Sequence, residues 1–172
     1  GAREFVSVAV ENLSRSVELL KEADIVWNVG QLVEKYLVAA DVDVVGNLQD
    51  DDLQFVCASA NQSDADIFVS IHCNSTTNDL ARGTETFICS MASKAKSLAT
   101  YVQTQIVMSA ETLNRGVREA NYYVLTQTSM PAILVELAFI SNKNDAAILR
   151  EYKDEFARAI ARGITDYWQS TK

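Results

Sequence analysis

The chain has 172 residues, of which 48% are hydrophobic and 22% are charged, as is typical of a globular protein with one sizeable core. Its formal net charge of −8 and its scattered lysines and arginines argue against a nucleic-acid partner, since phosphate binding requires a basic patch. No apolar run is long enough to cross a bilayer, and no signal peptide opens the chain. These features predict a single domain over residues 1–172, with neither a nucleic-acid nor a membrane partner.

Strand and helix patterns follow one another along the first half of the chain. Residues 4–10 alternate and are rich in β-branched side chains, which favours a strand, although the same valines also allow a helix. Helical spacing runs over residues 14–39, as one helix or two, with Gly30 inside it. Next we expect a strand at 42–45, a helix from 50 to about 61 and a strand at 65–74.

The second half continues the same alternation. The apolar run 132–137 is typical of a central strand that is covered on both faces. Strands that alternate with helices of about ten to twenty residues predict an α/β domain with a mostly parallel sheet flanked by helices. The expected elements are strands at 84–89, 122–125 and 132–137, a helix at 92–110 and a closing helix at 145–169 with Tyr152 facing inward.

The strand at 65–74 divides its side chains between the two faces of the sheet, because strand residues alternate. One face is expected to carry Val69, Ile71 and Cys73, and the other Phe68, Ser70 and His72. The chain has three cysteines, Cys57, Cys73 and Cys89, without a C-x-x-C pair, and an odd number cannot form a closed set of disulfides. We expect small buried thiols, because free cysteine is among the most buried residue types.

Two residues break the apolar pattern of the strands that carry them. His72, the only histidine, lies near the end of its strand, and Glu136 interrupts the run 132–137. A buried carboxylate needs a partner, an open cleft or a proton, and perturbed carboxylates concentrate at functional sites. If both strands are central and parallel, His72 and Glu136 emerge at the same edge of the sheet. Together they predict a metal-assisted or general-base site, although a lone histidine at a strand end is more often structural.

Several segments resemble, in the right order, motifs of the zinc-dependent N-acetylmuramoyl-L-alanine amidases of the amidase-3 type. Residues 64–74 are similar to the family's ADxFxSIHxN segment, and residues 83–87 to its GxExY/F strand. The match continues through residues 114–125 and 130–142, and the resemblance as a whole covers about residues 22–168. It implies a phosphorylase/hydrolase-like amidase fold for this domain, with residues 1–21 as an atypical N-terminal segment.

The resemblance implies a peptidoglycan hydrolase that cleaves the amide between N-acetylmuramic acid and the L-alanine of the stem peptide. In such enzymes zinc, held by His, Glu and His, polarises the amide carbonyl and lowers the pKa of a water. A glutamate takes the proton and passes it to the leaving amine. By motif, His72 and Glu22 match two of the zinc ligands, and Glu136 matches the catalytic glutamate.

The same motifs imply contacts with the substrate, namely the muramic acid and its stem peptide. Asn74 follows the histidine of the first motif, while Arg115 and Asn121 lie in the segment 114–125. These three residues are therefore expected to bind substrate. No wall-binding repeat is visible, so wall targeting is expected to fall to a domain absent from this chain. A secreted or cell-wall autolysin and a phage endolysin made in the cytoplasm both match this pattern.

The chain departs from the family where the first histidine ligand is expected. In the family that ligand sits in a DPGHGG-like loop after the first strand, whereas here Val10 is followed by Glu11 and Asn12, with no histidine or glycine. Glu11 or Asn12 lies at about the missing position, and Glu11 is the better candidate, because a carboxylate is an accepted zinc ligand and an amide rarely is. The sequence therefore leaves two hypotheses: a zinc amidase in which Glu11 replaces the histidine, or an amidase-like binding or structural module without turnover.

Overall fold

One six-stranded sheet organises the computed structural model of the protein, which describes residues 7–12 and 19–172. The strands are β1 (Ser7–Asn12), β2 (Asp43–Leu48), β3 (Ile67–Asn74), β4 (Thr84–Ile88), β5 (Asn114–Glu119) and β6 (Ala132–Phe139). The helices are α1 (Leu19–Ala39), α2 (Leu53–Gln62), α3 (Ala95–Ala110), α4 (Tyr123–Thr126), α5 (Lys143–Glu151) and α6 (Lys153–Ser170).

The strand order is β2-β1-β3-β6-β4-β5, and the sheet is mostly parallel. β1 pairs in parallel with β2 and β3, and β3 pairs in parallel with β6. β4 runs antiparallel to β6, while β5 pairs in parallel with β4. Every residue of β6 is buried, as expected for a central strand. The predicted α/β architecture, with a mostly parallel sheet and flanking helices, is confirmed.

Apolar clusters cover the two faces of the sheet, and β3 contributes to both. Val69 and Ile71 pack in the cluster that contains buried residues of α1, α3 and α6. Phe68 packs in the cluster formed with α2 and α4. This division confirms the alternation predicted for β3. It also means that the remaining polar residues of this strand, Ser70 and His72, point toward the α2 side.

The structure corrects the sequence-based interpretation of residues 114–126. The strand predicted at residues 122–125 is wrong, because Tyr123–Thr126 forms the short helix α4 and its buried residues, Val124 and Leu125, are consecutive rather than alternating. The strand that lies nearby, β5, was not predicted. It is an edge strand with no fully buried residue, so its sequence lacks the apolar alternation by which strands are recognised.

The closing helix is also different from the prediction. Instead of one helix over residues 145–169 there are two, α5 and α6, which meet at Tyr152. The backbone of Tyr152 has φ −113° and ψ 29°, outside the helical region, and its N–H bonds the carbonyl of Ile148. Its side chain is 41% exposed rather than inward-facing. The non-helical backbone at this one residue turns the chain from α5 into α6.

The remaining expectations have mixed outcomes: burial of the thiols is confirmed for Cys57 and is wrong for Cys73 and Cys89. Gly30 lies within the single helix α1, whereas residues 4–6 of the first predicted strand and 14–18 of the first predicted helix lie outside the described part. All three cysteines are free; Cys57 is buried, while Cys73 and Cys89 are half-buried. No helix within the described residues is both long and apolar enough to span a membrane.

The packing of α6 against α3 depends on Gly163. A Cβ atom added there would lie 2.6 Å from the Cα of Val102, so the α3 backbone would have to move. We predict that Gly163→Ala lowers the free energy of unfolding by about 1–3 kcal/mol, measured by urea denaturation. Gly46→Ala is the matched control, since a Cβ there meets no atom within 4 Å. Equal stability of the two variants would contradict this close helix approach.

Candidate active site

Four polar residues form a row across the α2 side of the sheet, near the carboxyl ends of three parallel strands. Glu11 of β1 is level with Ser70 of β3, and His72 of β3 is level with Glu136 of β6. All four are buried among apolar residues. His72 and Glu136 thus lie side by side at one edge of the sheet, as expected for central parallel strands.

Hydrogen bonds join Glu11, Ser70 and His72 into a buried chain. The Ser70 hydroxyl donates to Glu11 Oε2 and lies 2.7 Å from His72 Nε2. A hydroxyl carries a single hydrogen, so while Ser70 donates it to Glu11, Nε2 of His72 must be the donor to Ser70 Oγ. The hydrogen-bond chain therefore runs from His72 through Ser70 to the carboxylate. Binding of a metal ion by Nε2 requires this proton to leave.

Glu11 presents its carboxylate to the interior on the α2 side. Burial and the negative charge of Glu11 together raise the pKa of the Cys57 thiol on α2. Within the described part of the chain, Glu11 Oε1 accepts no hydrogen bond. A buried carboxylate oxygen without a donor is an acceptor that a cation can satisfy.

The spacing of Glu11 and His72 fits two positions around a zinc ion. His72 Nε2 and Glu11 Oε2 are 3.4 Å apart. Two ligands bound to tetrahedral zinc at about 2.1 Å lie about 3.4 Å from each other. A zinc ion normally takes three or four protein ligands, however, and residues 7–12 and 19–172 contain no group of three His, Cys, Asp or Glu side chains arranged to hold a metal.

Glu22 is buried in the first turn of α1, the helix that packs on the opposite face of the sheet from His72. The negative charge of Glu22 affects the pKa of the Cys73 thiol. Desolvation raises the pKa of the Cys73 thiol well above its usual value, and the charges of Glu22 and Glu136 raise it further. The structure therefore brings Glu11, His72 and Glu136 together, and it brings Glu22 to the same end of β3 without joining it to a metal-binding group.

On the other side of Glu136, β4 contributes a second buried carboxylate. Glu85 pairs directly with Glu136 across the antiparallel strands β4 and β6. Like charges opposite each other destabilise a sheet. Arg115 forms a salt bridge with Glu85 through Nε, and Arg118 Nη1 lies 3.7 Å from the same carboxylate oxygen. These guanidinium groups offset the repulsion between Glu85 and Glu136.

The residues expected to bind substrate lie at different places. Asn74 ends β3, where its Oδ1 accepts the Ser75 N–H at 3.0 Å. Arg115 lies beside Glu85, and its guanidinium also stacks on Phe139, 4.9 Å from the ring centroid. Asn121 is exposed beyond the end of β5. Because β4 and β5 run in the opposite direction to β6, Asn121 lies toward the opposite end of the strands from Glu136.

Three residues of this region were missed by sequence reasoning: Ser70, Glu85 and Arg118. Ser70 lies two residues before His72, so the two side chains share a strand face. That spacing is visible in the sequence, but it does not by itself predict a hydrogen bond between them. Glu85 lies in an alternating strand, where a polar residue usually marks a solvated face. Arg118 belongs to the edge strand that the sequence did not reveal.

Comparison with known proteins gives the family. The family model described as N-acetylmuramoyl-L-alanine amidase matches residues 12–166, which is most of the chain. The chain belongs to the N-acetylmuramoyl-L-alanine amidase family. A solved amidase structure from Clostridium difficile 630 superimposes with a TM-score of 0.87 at 30% identity, covering 99% of this chain and 100% of that one. The resemblance inferred from the motifs is confirmed.

Curated relatives of this amidase-family chain differ in length. The uncharacterized protein YqiI of Bacillus subtilis (strain 168) is 39% identical over 156 residues, covering 87% of this chain and 75% of its own. The N-acetylmuramoyl-L-alanine amidase LytC of the same organism is 38% identical over 114 residues, which is 64% of this chain. The matched region is 23% of LytC, so that relative extends well beyond the domain.

The hydroxyl of Ser70 holds the buried pair Glu11 and His72. We predict that Ser70→Ala destabilises the protein by about 1–3 kcal/mol, because it removes a donor from a buried carboxylate. Urea denaturation measures the change. Ser75→Ala, which alters an exposed serine just past β3, is the control and should change stability by less than about 0.5 kcal/mol. A Ser70→Ala protein as stable as the control would show that Glu11 does not depend on this hydroxyl.

Proposed function

We propose that this domain is a zinc-dependent N-acetylmuramoyl-L-alanine amidase, which cleaves the amide between N-acetylmuramic acid and the L-alanine of the peptidoglycan stem peptide. The observation that carries the proposal is the pairing of His72 with Glu136 on central parallel strands, with the Glu11 carboxylate 3.4 Å from His72. Membership of the amidase family and the activity for which the relative LytC is named support it.

His72 and Glu11 would hold the zinc ion, with Glu11 in place of the histidine that the family motif carries. Glu22 is proposed as the third ligand from its motif, although its helix packs on the opposite face of the sheet, so binding would require its carboxylate to move toward His72. Zinc, when bound, polarises the scissile carbonyl and lowers the pKa of a water molecule. Two features of the Glu11 carboxylate support the assignment of these two residues: Oε1 has no hydrogen-bond donor among the described residues, and Oε2 lies 3.4 Å from His72 Nε2. For Glu22, support comes from its burial and from its effect on the thiol next to His72.

Glu136 takes the proton of the attacking water and delivers it to the leaving amine of L-alanine. A general base must lie within reach of the water on the reacting carbon, and Glu136 is adjacent to His72. Asn74, Arg115 and Asn121 are proposed to contact the muramic acid and stem peptide. A wall-targeting domain outside this chain would deliver the enzyme to the cell wall, as in an autolysin or an endolysin.

A second candidate function is peptidoglycan binding without hydrolysis. The observation that favours it is the hydrogen-bond chain from His72 through Ser70 to Glu11, which pairs His72 Nε2 and Glu11 Oε2 through the Ser70 hydroxyl with no metal ion. In such a module the residues proposed to contact the stem peptide would bind it without cleaving it. Zinc content and product release distinguish the two functions.

We expect the purified protein, after exposure to zinc and desalting, to retain about one zinc ion per chain, as a catalytic site with three protein ligands does. Elemental analysis measures the content. Glu11→Ala and His72→Ala should each lose the ion, because only two protein ligands remain in either variant. The matched control is Glu151→Gln, which removes an exposed carboxylate at the end of α5. Absence of zinc from the parent protein, together with no release of stem peptide, would leave the binding function.

We expect Glu136→Gln to reduce the release of stem peptides from cell walls by about 100-fold or more, since general-base catalysis contributes about 10²–10⁴-fold. Zinc content should stay unchanged because Glu136 is not a ligand. Chromatography of released peptides with a free L-alanine amine measures the reaction. Full activity in Glu136→Gln would remove this residue from its catalytic role, whereas the exposed Glu151→Gln change should have no effect.

A further inference from the structure

We propose that Arg118 is a specificity residue of this site, and that its guanidinium binds a carboxylate on the stem residue that follows the L-alanine. This inference rests on the proposed function, because it assumes that the scissile amide lies beside His72 and Glu136. In peptidoglycan that second residue is a glutamate linked through its side chain. Its α-carboxyl group is therefore either a free carboxylate or, where the wall is amidated, a neutral carboxamide.

Strand register gives the position of Arg118 relative to Glu136. Arg118 is level with Phe87 of β4, and Phe87 packs in the apolar cluster on the α2 side. Paired residues share a face, so Arg118 lies on the same face as Glu85 and Glu136. The backbone of Arg118 is two strands across and two residues along from that of Glu136, because Phe87 is level with Leu134. The side chain closes most of this distance: Arg118 Nη1 lies 3.7 Å from the carboxylate of Glu85, the residue paired with Glu136. One residue of an extended peptide spans about 3.5 Å, so a carboxylate one residue past the scissile bond can approach this guanidinium.

The two arginines beside Glu85 differ in how their donors are used. Arg115 is bonded through Nε to Glu85, donates Nη1 to the carbonyl of Arg82 at 3.4 Å, and stacks on Phe139. Its side chain is only 30% exposed. The guanidinium of Arg115 thus serves to neutralise the buried carboxylate of Glu85. It has little surface with which to meet a ligand.

Arg118 makes a longer contact with Glu85, at 3.7 Å, and its side chain is 53% exposed. Since Arg115 already forms a close salt bridge with Glu85, Arg118 adds positive charge to the rim of the site. The guanidinium presents a planar fork of donors that matches a carboxylate. In a chain with a net charge of −8, an anionic peptide needs such a local cation to approach the catalytic carboxylate.

A purely structural role, in which Arg118 only neutralises Glu85, makes a different prediction. Loss of that role would weaken the site equally for every substrate, whatever the charge of the second stem residue. A binding role affects only the ligand that carries the carboxylate. Two muramyl tripeptides that are identical except for D-glutamate or D-isoglutamine at the second position therefore separate the two roles.

The experiment measures binding of both tripeptides by titration calorimetry in a Glu136→Gln background, in which cleavage is slow. We expect the D-glutamate ligand to bind about tenfold more tightly than the D-isoglutamine ligand, as for a charge-assisted hydrogen bond at a partly exposed site. Adding Arg118→Ala should remove this preference by weakening only the D-glutamate ligand, and Arg118→Lys should restore part of it. Arg162→Ala, which removes a more exposed arginine from α6, is the control and should keep the preference.

Equal affinity of the Arg118-containing protein for the two tripeptides would overturn the proposal, as would no binding of either one. An equal loss for both ligands in Arg118→Ala would leave only the structural role. The measurement does not depend on turnover, so it separates this inference from the amidase function. If the protein prefers the D-glutamate ligand through Arg118 but releases no stem peptide, the role of Arg118 is supported and the amidase function is refuted. If the protein releases stem peptide but binds both ligands equally, the amidase function is supported and the role of Arg118 is refuted.

Discussion

The parallel pairing of β3 with β6 sets the position of the polar side chains in the candidate active site. His72 and Glu136 are level in this pairing, and both point away from the apolar cluster that α1, α3 and α6 cover. A slip of one residue would turn the polar side chains of one strand into that cluster. The register of the site is therefore held by the apolar residues between the polar ones, which pack on both faces of the sheet.

Burial of Glu11 and Glu85 is tolerated because each carboxylate has a described donor or positive charge beside it. Glu11 receives the Ser70 hydroxyl, and Glu85 receives Arg115. Charged groups are expensive to bury without such partners, and the same low dielectric strengthens the interactions that are made. Stability and chemistry thus depend on one set of contacts. The family comparison supports the fold, since the chain superimposes on a solved amidase over 99% of its length.

Sequence reasoning found the site residues that are polar within otherwise apolar strands. His72 and Glu136 stand out because each interrupts an apolar central strand, and the motifs then added Glu22. Ser70 and Glu85 did not stand out, because alternation alone does not reveal whether the second face of a strand is covered. The errors at β5 and α4 have the same origin: an edge strand needs little apolar sequence. The side of the sheet on which Glu22 lies depends on how α1 packs, which no local pattern encodes.

The edge position of β5 affects whether two molecules of this protein can associate through their sheets. An outermost strand exposes backbone donors and acceptors that another sheet can pair with, which is a common route to aggregation. In β5 the backbone is interrupted by Gly116 at φ 83°, and its last two residues, Arg118 and Glu119, are exposed and charged. Charged side chains on an outer strand oppose such pairing. The guanidinium proposed to bind substrate is therefore also one of the charges that oppose pairing at this edge, so the loss of Arg118 would affect association between molecules as well as binding.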